Sequence, residues 1–160
     1  MADPNPDVAG GGEKYLSGKG VSVSSGICAR RAFQLNDWFV KYIRTKRPFV
    51  TAKCAATLDG RIAASSGDAR WVTGEAARAF VHQLRHSVDA IMVGRQTVAQ
   101  DDPSLTTRLP EGGGKDPIRI IVDTSLGIST DAKVIQQASP APTWIVCSSA
   151  VAKEKIQRLE

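Results

Sequence analysis

The chain has 160 residues with 42% hydrophobic and 23% charged content, which excludes disordered and fibrous proteins and allows about one domain. The formal net charge of +5 is spread along the chain and suits an anionic ligand. No apolar run approaches the roughly 20 residues of a membrane span, and the polar start lacks a signal peptide's apolar core. We therefore expect a soluble, cytoplasmic protein with no membrane partner.

The first 48 residues predict a loop, a short helix and a longer connecting helix. Proline and glycine turns favour the initial loop, a helix follows near Glu13 to Ser17, and Val21 to Val23 alternates like a strand. From Cys28 to Thr45, apolar residues recur at helical spacing. Pro48 prevents this helix from continuing.

Strands and helices alternate from Phe49 onward. Residues 49–58 are predicted as a strand, Asp59-Gly60 as a tight turn and residues 61–64 as a returning strand. Thr73 is the expected N-cap of a helix that continues to about His86. The later elements are a buried strand, a short helix, two further apolar strands and a terminal helix, at residues 88–93, 94–100, 118–122, 143–147 and 150–160.

This alternation predicts an α/β fold with a mainly parallel sheet and helices on both of its faces. The last helix stops at Glu160 without a C-cap, so we expect further βα units to be missing at the C-terminus. The three cysteines, Cys28, Cys54 and Cys147, are widely spaced. They predict reduced thiols in the core rather than a disulfide framework or a zinc site.

The turn after the strand at residues 88–93 is a candidate phosphate site. Gly94 ends the strand and opens a helix, whose N–H groups and positive dipole end favour an anion. Arg95 adds a positive charge and Thr97 a hydroxyl donor. The alternative is a plain strand-to-helix turn with a solvated arginine. The sequence contains neither the glycine-rich dinucleotide fingerprint nor a P-loop.

The Gly94-Arg95-x-Thr97 turn resembles the NADPH-phosphate turn of dihydrofolate reductase. Further blocks narrow this resemblance to the reductase domain of the bacterial bifunctional riboflavin-biosynthesis deaminase/reductase, which has a dihydrofolate-reductase-like fold. The blocks are Arg47-Pro48-Phe49-Val50-Thr51-x-Lys53, Thr57-Leu58-Asp59-Gly60-Arg61-Ile62-Ala63, Gly67-Asp68-x-x-Trp71-Val72-Thr73 and Thr97-Val98-x-x-Asp101-Asp102-Pro103-Ser104-Leu105, followed by Arg108.

The resemblance implies three segments. Residues 1–25 are expected to be the C-terminal remnant of a deaminase domain, residues 26–48 a connecting helix, and residues 49–160 the N-terminal part of the reductase domain. The deaminase's His-x-Glu and Pro-Cys-x-x-Cys-like zinc signature is absent from the sequence, so no metal is expected. We therefore expect an internal fragment, truncated at the C-terminus, and the sequence leaves open whether the fragment is active.

The resemblance also implies an activity and its site residues. In the family, the reductase uses NADPH to reduce the ribosyl group of 5-amino-6-(5-phosphoribosylamino)uracil to a ribityl chain on the way to riboflavin. The implied NADPH-binding residues, beside Gly94 and Arg95, are Ala55, Trp71, Thr97, Asp101 and Thr124 or Ser125. The implied substrate-binding residues are Ala69, Arg85, Leu105 and Arg108. Lys53 is the candidate for polarising the substrate, the implied partner is this phosphorylated pyrimidine rather than nucleic acid, and homodimer formation is left open.

Structural roles remain open for several of these residues. Trp71 is also explained as a core aromatic, Asp101-Asp102-Pro103 as a helix-ending turn, and Arg85 as a partner of the helix dipole. Lys53 has an edge-strand ion pair as its alternative role. Ala69 departs from the family pattern, in which a serine often contacts the substrate. Either Asp68 or Arg70 compensates for the missing hydroxyl, or the affinity for substrate is weaker.

Two further interpretations are weaker. His82 and His86 share one helix face, but they lack the neighbouring glutamate and the third ligand that a metal site requires. A small basic nucleic-acid-binding protein is the alternative function, suggested by an isoelectric point near 9.3. With only 6% aromatic residues and no recognition motif among the basic residues, the sequence favours the reductase.

Overall fold

The computed structural model describes residues 1–8, 11–69 and 71–159 of the chain. Arg70, which was one candidate to replace the missing serine hydroxyl, and Glu160 lie outside the described residues. The chain divides into two compact units, Met1–Cys54 and Ala55–Glu160. No helix in the described part of the chain is both long and apolar enough to span a membrane.

The first unit contains three short helices, α1 (Gly11–Gly18), α2 (Ala29–Leu35) and α3 (Asp37–Thr45). α1 contains the helix predicted near Glu13 to Ser17. The single helix predicted over residues 28–45 is instead two helices, because Asn36 interrupts it. The Asn36 side-chain amide donates to the Ala32 carbonyl at 2.9 Å, while its backbone N–H turns to the Phe33 carbonyl at 3.2 Å. A side chain thus replaces the helical backbone donor at this point.

Three segments predicted as strands have no regular structure, namely residues 21–23, 49–58 and 61–64. Within the described residues, the sheet has three strands and none of these segments belongs to it. A strand requires a neighbour that pairs with its backbone groups, so the strand prediction is wrong here. The Asp59-Gly60 turn does form. The Thr57 N–H donates to the Arg61 carbonyl at 2.9 Å, and Gly60 has a φ of 81°, which favours glycine.

The second unit holds a parallel sheet. Its elements are α4 (Glu75–Ser87), β1 (Ala90–Gly94), α5 (Arg95–Asp101), β2 (Ile118–Val122), α6 (Lys133–Gln136), β3 (Thr143–Val146) and α7 (Lys153–Gln157). The strand order is β1-β2-β3, and Gly94 lies opposite Val122. The predicted α/β fold with a parallel sheet is confirmed. Gly74, with extended backbone, takes the N-cap position that the sequence assigns to Thr73.

The core lies on one face of this sheet. Side chains alternate along a strand, and the strand residues on the core face pack against α5, α6 and the loops. The core includes Ile91, Val93, Val98, Leu105, Ile121, Ile128, Val134 and Ile145. On the opposite face, Met92 is 63% exposed and Trp144 is 54% exposed. The expectation that helices cover both faces is therefore wrong for the described part of the chain, where this second apolar face meets solvent.

Arg119 is a charged residue on the core face of β2. It is 3% exposed, and its guanidinium donates to Thr143 Oγ1, Ser139 Oγ and the Ala141 carbonyl. Ser139 Oγ donates in turn to Asp116 at 2.8 Å. Burial lowers the pKa of Arg119, whereas the Asp116 charge raises it. These bonds satisfy the buried guanidinium and tie Asp116 to the loop before β3.

The cysteines differ from the expected core location. Cys28 and Cys54 are exposed, Cys147 is half-buried, and none of the three forms a disulfide bond among the described residues. Cys28 precedes α2, and Cys54 lies in the irregular segment after α3. Neither position is covered by a packed element, so the prediction of core thiols is wrong for these two residues.

Candidate functional site

Four of the expected cofactor residues lie at the carboxyl edge of the sheet. Gly94 ends β1 and Arg95 begins α5, while Thr124 and Ser125 follow β2. Because Gly94 is paired with Val122, both connections leave the sheet at the same edge. Ligands of open α/β sheets bind at this edge. The structure therefore brings these four residues together in a place suited to a ligand.

Arg95 is partly neutralised by a buried carboxylate. Its Nε lies 3.5 Å from Asp123 Oδ1; the Arg95 side chain is 42% exposed and that of Asp123 only 1%. The other Asp123 oxygen accepts the Ile128 N–H at 2.8 Å, and Ser125 Oγ lies 3.4 Å from Oδ1. Asp123 thus holds both Arg95 and the turn after β2. Asp123 is not predicted from the sequence, in which the available signal is an aspartate directly after an apolar strand.

Thr97 and Asp101 are exposed on α5. Asp101 lines an open cavity of about 420 Å³ together with Asp68, Ala69 and Gln100. The structure therefore places one expected cofactor residue and one expected substrate residue, Asp101 and Ala69, around the same cavity.

Asp102 has a structural role beside this cavity. Its backbone is left-handed, with a φ of 40°, and its carboxylate accepts the Lys133 N–H at 2.8 Å at the start of α6. This bond is the main cause of the lowered pKa of Asp102. Lys133 Nζ adds an ion pair at 3.3 Å. For Asp102, the structure thus supports the helix-ending turn.

Arg85 is half-buried without a counter-ion. Its Nη1 donates to the Thr106 carbonyl at 3.2 Å, whereas its Nε is buried and has no hydrogen-bond partner among the described residues. Burial lowers the pKa of Arg85, and the charge of Arg108 lowers it further. Neither arginine forms an ion pair with a carboxylate in the described part of the chain. The buried Nε is out of reach of a ligand, but a guanidinium whose charge has no carboxylate partner among the described residues is suited to binding an anion through its terminal nitrogens.

Trp71 lies on the surface near Arg108. The indole is 73% exposed, which excludes the core-aromatic alternative, and Arg78 Cζ lies 4.4 Å from the ring centroid. Trp71, Arg78, His82 and Arg108 are among the residues that line a cavity of about 350 Å³. This second cavity again joins an expected cofactor residue, Trp71, with an expected substrate residue, Arg108.

Both histidines accept a backbone hydrogen bond. The Arg108 N–H donates to His82 Nδ1 at 3.1 Å, and the Lys115 N–H donates to His86 Nδ1 at 3.0 Å. The Nδ1 atoms are therefore occupied by protein contacts. No group of three metal-ligating side chains occurs in the described part of the chain.

The remaining expected residues occupy separate positions. Leu105 is 4% exposed and has a left-handed φ of 55°, so its side chain belongs to the core and only its backbone is available to a ligand. Ala55 is half-buried at the start of the second unit. Lys53 is exposed in the first unit and lies in irregular backbone, so it lacks the strand context predicted for it.

These features define an α/β domain with a ligand edge on its parallel sheet and two arginines, Arg85 and Arg108, that form no ion pair among the described residues. Residues 48–160 match the family model described as RibD C-terminal domain, and the chain belongs to this family. It is a family of reductases, a class that is consistent with a nicotinamide cofactor.

Relatives match nearly the whole chain. The riboflavin biosynthesis protein RibD of Bacillus amyloliquefaciens is 44% identical over 159 residues, which cover 99% of this chain and 42% of that protein. The protein of the same name from Escherichia coli is 37% identical, with 96% of this chain and 44% of that protein covered. A crystal structure of a diaminohydroxyphosphoribosylaminopyrimidine deaminase/5-amino-6-(5-phosphoribosylamino)uracil reductase from Thermotoga maritima is similar, with a TM-score of 0.78 and 36% identity over 93% of this chain. The chain spans 42% of that structure's length.

Proposed function

We propose that this chain carries the reductase domain that converts 5-amino-6-(5-phosphoribosylamino)uracil to its ribitylamino product in riboflavin biosynthesis, with NADPH as the cofactor. The Thermotoga maritima relative is named for reduction of this compound, which supports the substrate. The observation that carries the proposal is Arg85, whose buried Nε has no partner among the described residues and whose neighbour Arg108 is also a cation.

In this proposal, Arg85 and Arg108 bind the phosphate ester of the substrate. A phosphate oxygen accepts from the Arg85 guanidinium, and its negative charge offsets the repulsion between the two cations. Ala69 offers no side-chain donor, and the polar residues that line the same cavity include the acceptor Asp68 and the donors Ser66 and Gln100. Leu105 contributes through its backbone, because its side chain is buried.

The carboxyl edge of the sheet fits a phosphate-bearing dinucleotide. Arg95 is 42% exposed, so beyond Nε its guanidinium has Nη donors that suit a 2′-phosphate. Thr124 and Ser125 are exposed nearby, and the other proposed NADPH-binding residues are Ala55, Trp71, Gly94, Thr97 and Asp101. When bound, the nicotinamide supplies the hydride that reduces C1 of the ring-opened ribosyl group. Lys53 is proposed to polarise that group.

The proposal includes a domain organisation. Residues 1–25 derive from the end of a deaminase domain, residues 26–48 connect it to the next domain, and residues 49–160 form the N-terminal part of the reductase domain. The family match from residue 48 and the deaminase/reductase name of the Thermotoga maritima relative support this division. The biosynthetic names of the relatives support a cytoplasmic location and a small-molecule partner.

A thermal-shift titration of the 160-residue chain with NADPH and, in parallel, with NADH tests the cofactor. A ligand at 100 times its Kd stabilises the folded state by about 2.7 kcal/mol, which raises Tm by several degrees. We expect a larger shift with NADPH than with NADH at equal concentration, because Arg95 would meet the 2′-phosphate. Arg95→Gln should reduce this difference, and Arg158→Gln, an exposed arginine after α7, should preserve it. Equal shifts, or none, would contradict the assignment of NADPH.

A further inference from the structure

The segment from residue 106 to residue 108 has no regular secondary structure, yet side chains bind three consecutive residues of its backbone. The three bonds are Arg85 Nη1 to the Thr106 carbonyl at 3.2 Å, the Thr107 N–H to Asp116 Oδ1 at 2.7 Å, and the Arg108 N–H to His82 Nδ1 at 3.1 Å. Side chains rather than a strand or a helix therefore determine where this segment lies.

The hydrogen bond from the Arg108 backbone to His82 holds Arg108 in place against the repulsion between its charge and that of Arg85. Arg85 Nη1 binds the Thr106 carbonyl at 3.2 Å, two residues before Arg108, and the charge of Arg108 lowers the pKa of Arg85, so the two cations meet on one short segment. Neither has a carboxylate ion-pair partner in the described part of the chain. An uncharged group that binds the Arg108 backbone holds the two cations near each other without adding a third charge.

His82 can accept this bond only while its Nδ1 carries no proton. Burial lowers the pKa of His82, and the charges of Arg85 and Arg108 lower it further, whereas the Thr106 carbonyl raises it. Glu75 and Arg78 line the same cavity as His82 and pair with each other at 3.9 Å. The surroundings of His82 therefore favour the neutral imidazole that the contact requires.

We propose that His82 is a positioning residue for the Arg85–Arg108 anion site. Its neutral imidazole holds the Arg108 backbone N–H and thereby keeps both guanidinium groups in place for one phosphate ester. The inference rests on the proposed function, because it takes this pair as the phosphate site. His86 accepts the Lys115 N–H one helical turn further along α4 and is the matched control, since its contact does not involve Arg108.

The contact itself is tested by NMR on the full 160-residue chain labelled with ¹⁵N. Protonation of Nδ1 removes the acceptor, so we expect the Arg108 amide resonance to shift with the same midpoint as the His82 ring. In His82→Leu, the Arg108 amide should lose this titration, whereas the Lys115 amide should still follow His86. An Arg108 amide that is indifferent to the protonation of His82 would overturn the inference.

The effect on the anion site is tested by calorimetric titration with ribose 5-phosphate at neutral pH. Loss of one neutral hydrogen bond that positions Arg108 should weaken the affinity about fivefold in His82→Leu. His82→Asn carries an amide oxygen near the position of Nδ1, so its affinity should lie within about twofold of wild type. His86→Leu, which changes a residue outside the cavity that His82 lines, should also bind ribose 5-phosphate like wild type.

The outcomes separate the inference from the function that it extends. If His82→Leu folds and binds ribose 5-phosphate as tightly as wild type, or if His86→Leu weakens binding equally, His82 is not a positioning residue. If the wild-type chain does not bind ribose 5-phosphate, the proposed phosphate site fails. In that case the Arg108 amide titration alone decides whether His82 holds the backbone.

Discussion

Arg95 and Arg85 differ in the charges that surround them. Arg95 lies 3.5 Å from the buried carboxylate of Asp123, whereas Arg85 has the cation Arg108 nearby and a buried Nε without a partner among the described residues. A guanidinium that is paired and hydrogen-bonded is tolerated in a folded chain, but an unpaired one pays for its loss of water. Arg85 is therefore the arginine with the larger unmet need for an anion, whereas Arg95 has more effect on the fold through its pair with Asp123.

The largest expected effect comes from removing the carboxylate on the paired side. Asp123→Ala should lower the free energy of unfolding by about 2–4 kcal/mol, because it leaves the Ile128 N–H without its acceptor and Arg95 without its counter-ion. The exposure of Arg95 places the expected loss below that of a fully buried pair. Urea unfolding followed by far-UV circular dichroism measures it.

Two variants control this measurement. Asp123→Asn keeps an acceptor for the Ile128 N–H and should lose less stability than Asp123→Ala. Asp59→Asn removes the carboxylate of the exposed Arg61–Asp59 pair and should leave the unfolding curve nearly unchanged. If Asp123→Ala unfolds like Asp59→Asn, the buried carboxylate of Asp123 does not stabilise the fold more than an exposed ion pair does.

The next largest effect belongs to the unpaired side. Arg85→Met should weaken the binding of ribose 5-phosphate about 10- to 100-fold, since a hydrogen bond from a charged group contributes about 1.5–3 kcal/mol. The free energy of unfolding should fall by no more than about 1 kcal/mol, because the lost bond to Thr106 is offset by removal of a desolvated charge. Calorimetric titration and urea unfolding of the same samples give both quantities.

Arg158→Gln is the control for net charge, because Arg158 is exposed at the end of α7. It should keep the wild-type affinity for ribose 5-phosphate. A loss of affinity in both variants would show that total charge rather than Arg85 attracts the sugar phosphate.

Local pattern was sufficient to predict the sheet of the second unit. The run Ile118–Val122 is β-branched and apolar at every position except Arg119, and β2 has these same bounds. The segment at residues 49–58 has a similar pattern but no strand partner among the described residues, and local pattern contains no information about a partner. Asn36 likewise ends a helix through a side-chain hydrogen bond, which the spacing of apolar residues in the sequence does not reveal.

The candidate site was predictable only in part. Arg85 and Arg108 were expected from a family resemblance, but the buried Nε of Arg85 depends on how α4 packs against a segment about 20 residues later in the chain. The spacing of His82 and His86 correctly indicated a shared helix face. It did not reveal that both rings accept backbone N–H groups, because those donors lie 26 and 29 residues away. Asp123 was missed because its partner Arg95 is also distant from it in the sequence.

The smallest expected effect is a pH dependence on the side of Arg85. The pKa of His82 is lowered in the folded chain, so the unfolded chain binds a proton first as the pH falls. The stabilisation is therefore complete above the ordinary histidine pKa of about 6.5 and is lost as the pH drops through the lower, folded value. The free energy of unfolding should decline over this window in wild type and decline less in His82→Asn.

Urea unfolding at several pH values between about 7 and 5 measures this dependence. The carboxylates of Asp59 and Asp102, whose pKa values are also lowered, lose their contributions only at more acidic pH, below about 4. An equal decline in wild type and His82→Asn would assign the effect to another group.

Position 105 requires both an apolar side chain and a left-handed backbone, and these two requirements oppose each other. The Leu105 side chain is 4% exposed in the core, and its backbone is left-handed, with a φ of 55°. Isoleucine and valine suit the core but are strained by that backbone, whereas glycine and asparagine suit the backbone but leave a cavity or bury an amide. Few single substitutions satisfy both requirements.

This conflict has an evolutionary consequence for the segment that follows. Because few residues fit both requirements, the backbone at Leu105 fixes the direction in which the chain runs toward Arg108, three residues later. Adaptation to a differently shaped anion would then change the side chains at positions 85 and 108 and the α4 residues that contact them. The backbone at Leu105 would stay the same.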